Sequence, residues 1–186
     1  MNNSLDEHPI ALTPSLQIRP ATVEDAAQIC QIYNPYILNT TITFEEHPLT
    51  PSDMGDRLHQ VKAAGLPWLV LEDVDQNVLK GYCYAFPWKT RSAYRYTVET
   101  SIYLQENDRG QGLGATLYTH LLHHLEAQGI HSAIGILALP NPASIRLHEK
   151  LGFVYAGCLK DAGFKFDRWI DVVYWQRLLS PQTAQE

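Results

Sequence analysis

The stretch Arg109-Gly110-Gln111-Gly112-Leu113-Gly114 narrows most what this chain can fold into. Three glycines at alternate positions let a backbone turn sharply and approach a ligand closely. Residues 96–104 before it read as a strand. Residues 113–128 after it carry Leu117, Leu121, Leu122 and Leu125 on one helical face, and Gly129 closes that helix. A glycine turn that opens a helix sets unpaired N–H groups and the positive end of the helix dipole beside it, an anion site. Arg109 adds a fixed positive charge. The same spacing also suits a plain tight turn. No Gly-Lys-Ser/Thr follows, which excludes a Walker loop. Gly112-Leu113-Gly114 runs on into Ala115, Thr116 and Leu117, so the third glycine of a dinucleotide fingerprint is missing.

Around this loop the sequence predicts one mixed α/β domain. Residues 16–20 read as a short strand. Thr22-Val23-Glu24-Asp25 caps a helix through Ile29, Ile32 and Tyr33, which Pro35 is expected to end. Residues 40–45 form a loop, and Thr50-Pro51 opens a second helix that ends near Gly65. Residues 68–71 and 78–85 read as strands flanking a polar connection, and 87–91 as a loop. Beyond the long helix come a strand at 133–139 and a short helix at 142–151. Two further strands lie between Phe153 and Leu178, joined at Phe166-Asp167-Arg168. Hairpins first and a strand-helix-strand crossover later give a central, mostly antiparallel twisted sheet. It has a β-α-β core and helices on both faces. The domain is expected over 16–180, with 1–15 a flexible extension and 181–186 a tail.

The net charge of −6, with no run of Lys and Arg, argues against a nucleic-acid partner. Cys30, Cys83 and Cys158 are dispersed and odd in number. They predict neither a disulfide framework nor a metal site, and fit a reducing cytoplasm. The N-terminus lacks a basic start and an apolar stretch, and no apolar run approaches a membrane span, so no membrane partner is expected.

Taken with Asn141-Pro-Ala-Ser144-Ile-Arg-Leu-His148-Glu-Lys-Leu-Gly152-Phe153, the Arg109 loop resembles the GNAT superfamily of acetyltransferases. Several further segments are similar to its phosphinothricin acetyltransferase branch, which includes enzymes of methionine sulfone and methionine sulfoximine. They are Tyr33-Asn34-Pro35, Thr43-Phe44-Glu45, Pro87-Trp88-Lys89-Thr-Arg91, Ala93-Tyr94-Arg95, Thr97-Val98-Glu99, Phe164-Lys165 and Trp169-x-Asp171. The likeness spans residues 17–178. It departs where the branch has glycine and this chain has Asp167. Aspartate tolerates a left-handed turn, so the hairpin is expected to form.

The resemblance implies transfer of an acetyl group from acetyl-CoA to the amine of a small amino-acid-like substrate, without a metal, in a homodimer. It places the pyrophosphate on Arg109 to Gly114, with Gln111 and Leu113 inside the loop. It places the thioester and pantetheine along Ile102, Tyr103 and Leu104, and the cofactor arm at Asn141 with Lys150 on the same helix. Phe44 and Tyr94 are to wall the substrate pocket, with Lys89 and Arg91 as an anion clamp. An amine attacks only as the neutral base, so a proton acceptor is needed. Glu99, a lone carboxylate in an uncharged strand, is either solvent-facing or functional, and the resemblance makes it the general base. His148 is to be a second base or the acid to the departing thiolate. Cys83, with no activating neighbour, reads as core and not as an acyl carrier. Two other readings remain: a noncatalytic acetyl-CoA-binding module, and a protein or peptide N-acetyltransferase.

Overall fold

The computed structural model describes residues 9–13 and 15–179. The expected tail at 181–186 and residues 1–8 and 14 of the expected extension lie outside the described residues. The strands are β1 (Ile10–Ala11), β2 (Leu16–Pro20), β3 (Trp68–Asp73), β4 (Val78–Pro87), β5 (Thr97–Leu104), β6 (Ser132–Ala138), β7 (Val154–Lys165) and β8 (Arg168–Leu178). The helices are α1 (Ala26–Asn39), α2 (Pro51–Ala63), α3 (Leu113–Ala127) and α4 (Pro142–Lys150). One sheet runs β1-β2-β3-β4-β5-β6-β8-β7. Every neighbouring pair is antiparallel except β5 with β6, which the α3 crossover makes parallel. Ile10 and Ala11 pair with Ile18 and Gln17, so part of the expected extension forms an edge strand.

The sheet separates two apolar layers. Leu117, Leu121, Leu122 and Leu125 of α3 pack on Leu69, Leu71, Cys83, Val98 and Ala133. On the other face, Ile29, Ile32, Tyr33, Tyr36 and Ile37 of α1 and Met54, Leu58 and Val61 of α2 cover Trp68, Val70 and Tyr82. Cys83 is fully buried in the first layer, as expected of a core thiol.

Helix α1 does not stop at Pro35, which lies inside it. Proline removes one helical hydrogen bond and costs about 3 kcal/mol in a helix interior. Here Ile32, Tyr33, Tyr36 and Ile37 are buried on both sides of it, and that apolar contact outweighs the lost bond. Hairpin β7–β8 turns at Phe166 (φ 51°) and Asp167 (φ 57°), two successive left-handed residues, so the hairpin forms with aspartate at this position, as expected.

A buried ion cluster fixes the entry to α1. The Arg19 guanidinium donates to both Asp25 carboxylate oxygens at 2.8 Å and to Glu72 Oε2 at 2.7 Å. Asp25 also accepts the Thr22 N–H at 2.8 Å, so one carboxylate caps the helix and joins the sheet to it. The hydrogen bond from Arg19 holds the Glu72 carboxyl below its ordinary value. For Asp25 burial works the other way, and the Arg19 bonds prevail, again lowering the value. A depressed carboxylate contributes stability above its unfolded pKa and loses it as pH falls through the folded value. Arg19→Met is therefore expected to cost on the order of 3 kcal/mol at neutral pH by urea denaturation. The gap between variant and wild type should close as pH falls below about 4.

Candidate functional site

The site is built where β5 leaves β6. The two strands pair only from Thr97↔Ser132 to Thr100↔Gly135, although β5 continues to Leu104 and β6 to Ala138. Their ends diverge into a gap. Antiparallel pairing with β4 alternates along β5. Trp88 N–H bonds Thr97 O and Gln105 N–H bonds Lys80 O, so Glu99, Ser101 and Tyr103 turn their backbone groups toward β4. Ile102 and Leu104 turn theirs toward the gap. Of the three residues expected to line it, Tyr103 thus has its backbone in the β4 ladder, and its ring meets Tyr33 and Tyr36 of α1. Leu104 is engaged already: the Tyr36 hydroxyl donates to Leu104 O at 2.7 Å and accepts Leu104 N–H at 3.3 Å.

At the end of β5 the chain enters the glycine loop. Gly110 (φ 77°) and Gly112 (φ 83°) occupy left-handed conformations. The first helical bonds of α3 run from the Ala115 and Thr116 N–H groups to Gly112 O, so the N–H groups of Leu113 and Gly114 precede them. Gly114 is buried, and its backbone packs close against the Leu104 side chain. Gln111 and Arg109 are exposed, and the Arg109 guanidinium carbon lies 4.8 Å from the Tyr36 ring centroid. The loop therefore presents N–H groups and one cation beside the gap, as the sequence predicts.

Asn141 is the N-cap of α4, and its Oδ1 accepts the Ser144 N–H at 3.2 Å. Only its amide end is left for a ligand. Lys150 lies exposed at the opposite end of α4, about 13 Å along the helix at 1.5 Å per residue, away from Asn141.

His148 is buried on the α3 face of the sheet. Its Nδ1 donates to the Ser144 carbonyl at 2.8 Å, which leaves Nε2 as the acceptor, 3.3 Å from the Tyr118 hydroxyl. Tyr118 is in turn 2.6 Å from Thr100 Oγ1, and that oxygen is 3.2 Å from Ile134 O. The imidazole sits directly against Gly135, where a Cβ would collide with Nε2. Burial lowers the His148 pKa against a smaller opposing effect of the Ser144 bond, so the ring is neutral near pH 7.

Glu99 lies one residue from Thr100 and so on the opposite face, with Tyr103 and α1. It is half-buried. Burial raises its pKa, and the charge of Lys89 partly offsets this. The two candidate catalytic residues are thus adjacent along the sheet but separated by it. Lys89 lies over the Trp88 ring at 4.5 Å, and Trp88 meets Tyr174 of β8 edge-on at 6.0 Å. Arg91 and Tyr94 are exposed on the turn that follows, joined by the Tyr94 N–H to Arg91 O bond. Phe44 packs over Gly163 of β7.

Several contributors escape the sequence. Asn34 exchanges two bonds with the Leu49 backbone, at 2.9 and 3.0 Å. Tyr33 bonds Thr43 Oγ1 at 2.7 Å, and buried Lys165 donates to Thr43 O at 2.8 Å. Together they clamp the loop carrying Phe44 between α1 and the β7–β8 hairpin. Asn34 and Lys165 stood in the recognisable segments. Only their position in the family pattern, not their chemistry, could have flagged them.

Residues 18–174 match the acetyltransferase (GNAT) domain family. The chain is 46% identical over 162 residues to a phosphinothricin N-acetyltransferase of Streptomyces viridochromogenes, covering 87% of each chain. It is 38% identical over 170 residues to an L-methionine sulfoximine/L-methionine sulfone acetyltransferase of Pseudomonas aeruginosa, covering 90% of this chain and 96% of that one. The fold superposes with a TM-score of 0.85 on a phosphinothricin acetyltransferase of Sinorhizobium meliloti solved with acetyl-CoA, at 36% identity and 92% coverage of both.

The fit of His148 against Gly135 is directly testable. Gly135→Ala must push the ring aside or open the strand. It is expected to destabilise the protein by about 1–3 kcal/mol in urea denaturation and to shift the His148 imidazole resonances.

Proposed function

The chain belongs to the GNAT acetyltransferase family, and from that premise we propose that it acetylates the α-amine of phosphinothricin, methionine sulfone, methionine sulfoximine and similar amino acids, by direct transfer in a ternary complex. The observation that carries this is the open β5 edge, which leads into the glycine loop while Glu99 stands one turn of the pleat away. A thioester arm can hydrogen-bond along Ile102 as an added strand would. Its pyrophosphate then falls at the N–H groups of Leu113 and Gly114 and at Arg109, and the Asn141 amide faces the arm from α4.

Glu99 takes the proton of the incoming ammonium. Its raised pKa brings it toward the basicity that this task needs. The Ile102 N–H, turned into the gap, donates to the carbonyl oxygen as negative charge develops there. His148 cannot share the substrate amine with Glu99, because the sheet lies between them. On its own face the chain His148–Tyr118–Thr100 orients a hydroxyl and can return a proton to the departing thiolate. No acyl-enzyme is required, and burial pushes the Cys83 thiol well above its ordinary value, away from thiolate chemistry. Lys89 and Arg91 supply the cations for the acceptor's carboxylate, with Phe44 and Tyr94 at the pocket's rim. The exposed Phe164, Phe166 and Trp169 of the β7–β8 hairpin support a homodimer. The free thiols Cys30, Cys83 and Cys158 support a reducing, cytoplasmic setting.

CoA release from acetyl-CoA is the test, against the three tetrahedral-headed amino acids, common amino acids, polyamines and peptides. Turnover confined to the first group supports the proposal. Turnover on peptides alone, or binding without turnover, would replace it with the peptide-transferase or binding-module reading. Glu99→Gln is expected to lower kcat by about 10²–10⁴-fold. In the wild type kcat/KM should fall as pH drops through the Glu99 pKa, which burial raises above its ordinary value. That limb should vanish in the variant.

A further inference from the structure

One cleft on the Glu99 face has no role in the account above. It lies between α2 and β4, has a volume of about 180 Å³, and is lined by Arg57, Gln60, Val61, Trp68, Tyr84 and Phe86. Phe86 stands directly opposite Glu99 in the β4–β5 ladder, and Tyr84 opposite Ser101. The Tyr84 hydroxyl feels the charges of both Glu99 and Arg57. The cleft therefore begins beside the carboxylate and ends at a guanidinium.

We propose that this cleft receives the side-chain head of the acceptor amino acid, with Arg57 as the cation that selects a tetrahedral, oxygen-bearing group. This rests on the amino-acid acetyltransferase reading. At roughly 30 Å³ per water-sized group, the cleft matches a short linker and a small head in size. Trp68 and Tyr84, stacked at 4.3 Å between centroids, give the linker an apolar wall. Arg57 spends one bond, Nη2 to Glu45 Oε1 at 2.6 Å, and its side chain is 35% exposed, within reach of a ligand. A guanidinium has five N–H donors, so a bidentate contact to an oxyanion is compatible with the Glu45 pair. Phosphinothricin carries two anionic groups. Lys89 and Arg91 answer one, and Arg57 answers the other. A sulfone offers the same oxygens without the charge, so its dependence on Arg57 is weaker.

The test is steady-state kinetics of Arg57→Met and Arg57→Lys. Arg57→Met should raise KM for phosphinothricin about ten- to hundredfold, and KM for methionine sulfone by clearly less. The KM for acetyl-CoA and the melting midpoint should stay unchanged, and Arg57→Lys should recover part of the loss. An equal rise for both acceptors would mean that the Arg57–Glu45 pair merely holds the loop, and an unchanged KM would place the head elsewhere. Either result overturns the inference and leaves the acetyltransferase reading intact. If the wild type acetylates neither acceptor, the substrate reading fails, and calorimetry of phosphinothricin binding in the presence of CoA decides the cleft by itself. Binding at least tenfold weaker in Arg57→Met retains the anion site. Equal affinity, or no binding to the wild type, removes it.

Discussion

The parting of β5 from β6 after Thr100 and Gly135 is the constraint on which the rest of this structure depends. A continuous parallel pair would consume the backbone groups that the two strands turn toward each other. By diverging, β5 keeps the N–H and C=O of Ile102 directed into an opening, while those of Leu104 are taken by the Tyr36 hydroxyl, and an unpaired strand edge favours an extended ligand. The glycine loop follows within a few residues, so the strand edge and the anion site share one direction. Gly114 allows α3 to sit close on Leu104, and Gly135 allows the His148 ring to lie against β6. Small residues thus stand at both points where the two halves of the sheet separate.

That geometry also sets the two candidate proton carriers, Glu99 and His148, on opposite faces of the sheet. Both Glu99 and His148 are shifted by the same physical cause, loss of water around the charged form, and the results are opposite in sign. The carboxyl becomes more basic and the imidazole less so. A half-buried glutamate with Lys89 nearby can accept a proton and remain tolerable as a neutral acid. A buried imidazole bonded through Nδ1 to Ser144 O is fixed in one tautomer, with Nε2 toward Tyr118.

Much of this was legible in the sequence, because it is local. The glycine spacing, the helical leucines of α3 and the hairpin turn at Asp167 each follow from backbone preference and periodicity. What was not legible depended on tertiary packing. Pro35 signals a stop only while its neighbours are exposed, and here they are core. Strand alternation separates Glu99 from Thr100, but nothing in the sequence tells which face α4 covers, so the sheet between Glu99 and His148 could not be foreseen. Tyr103 was grouped with Ile102 and Leu104 because register, which decides where its backbone points, is set by β4. Lys150 shares a helix with Asn141 and lies at its far end, a separation that proximity in sequence concealed.

Tyr36 shows why these non-local features are not incidental. It lies on α1, on the Glu99 face of the sheet, yet its hydroxyl bonds both polar groups of Leu104 and its ring lies beneath Arg109. One side chain therefore ties the helix behind the Phe44 loop to the strand edge and to the glycine loop. Had α1 ended at Pro35, Tyr36 would leave the helix and Leu104 would lose both partners. The persistence of the helix through a proline is thus a condition for the geometry at the end of β5 and the glycine loop. The cost of that proline is offset by Tyr33 and Tyr36 packing on Tyr103, the residue whose backbone keeps β5 aligned with β4. The Glu99 face and the glycine loop are therefore parts of one packing arrangement, joined through aromatic contacts at β5.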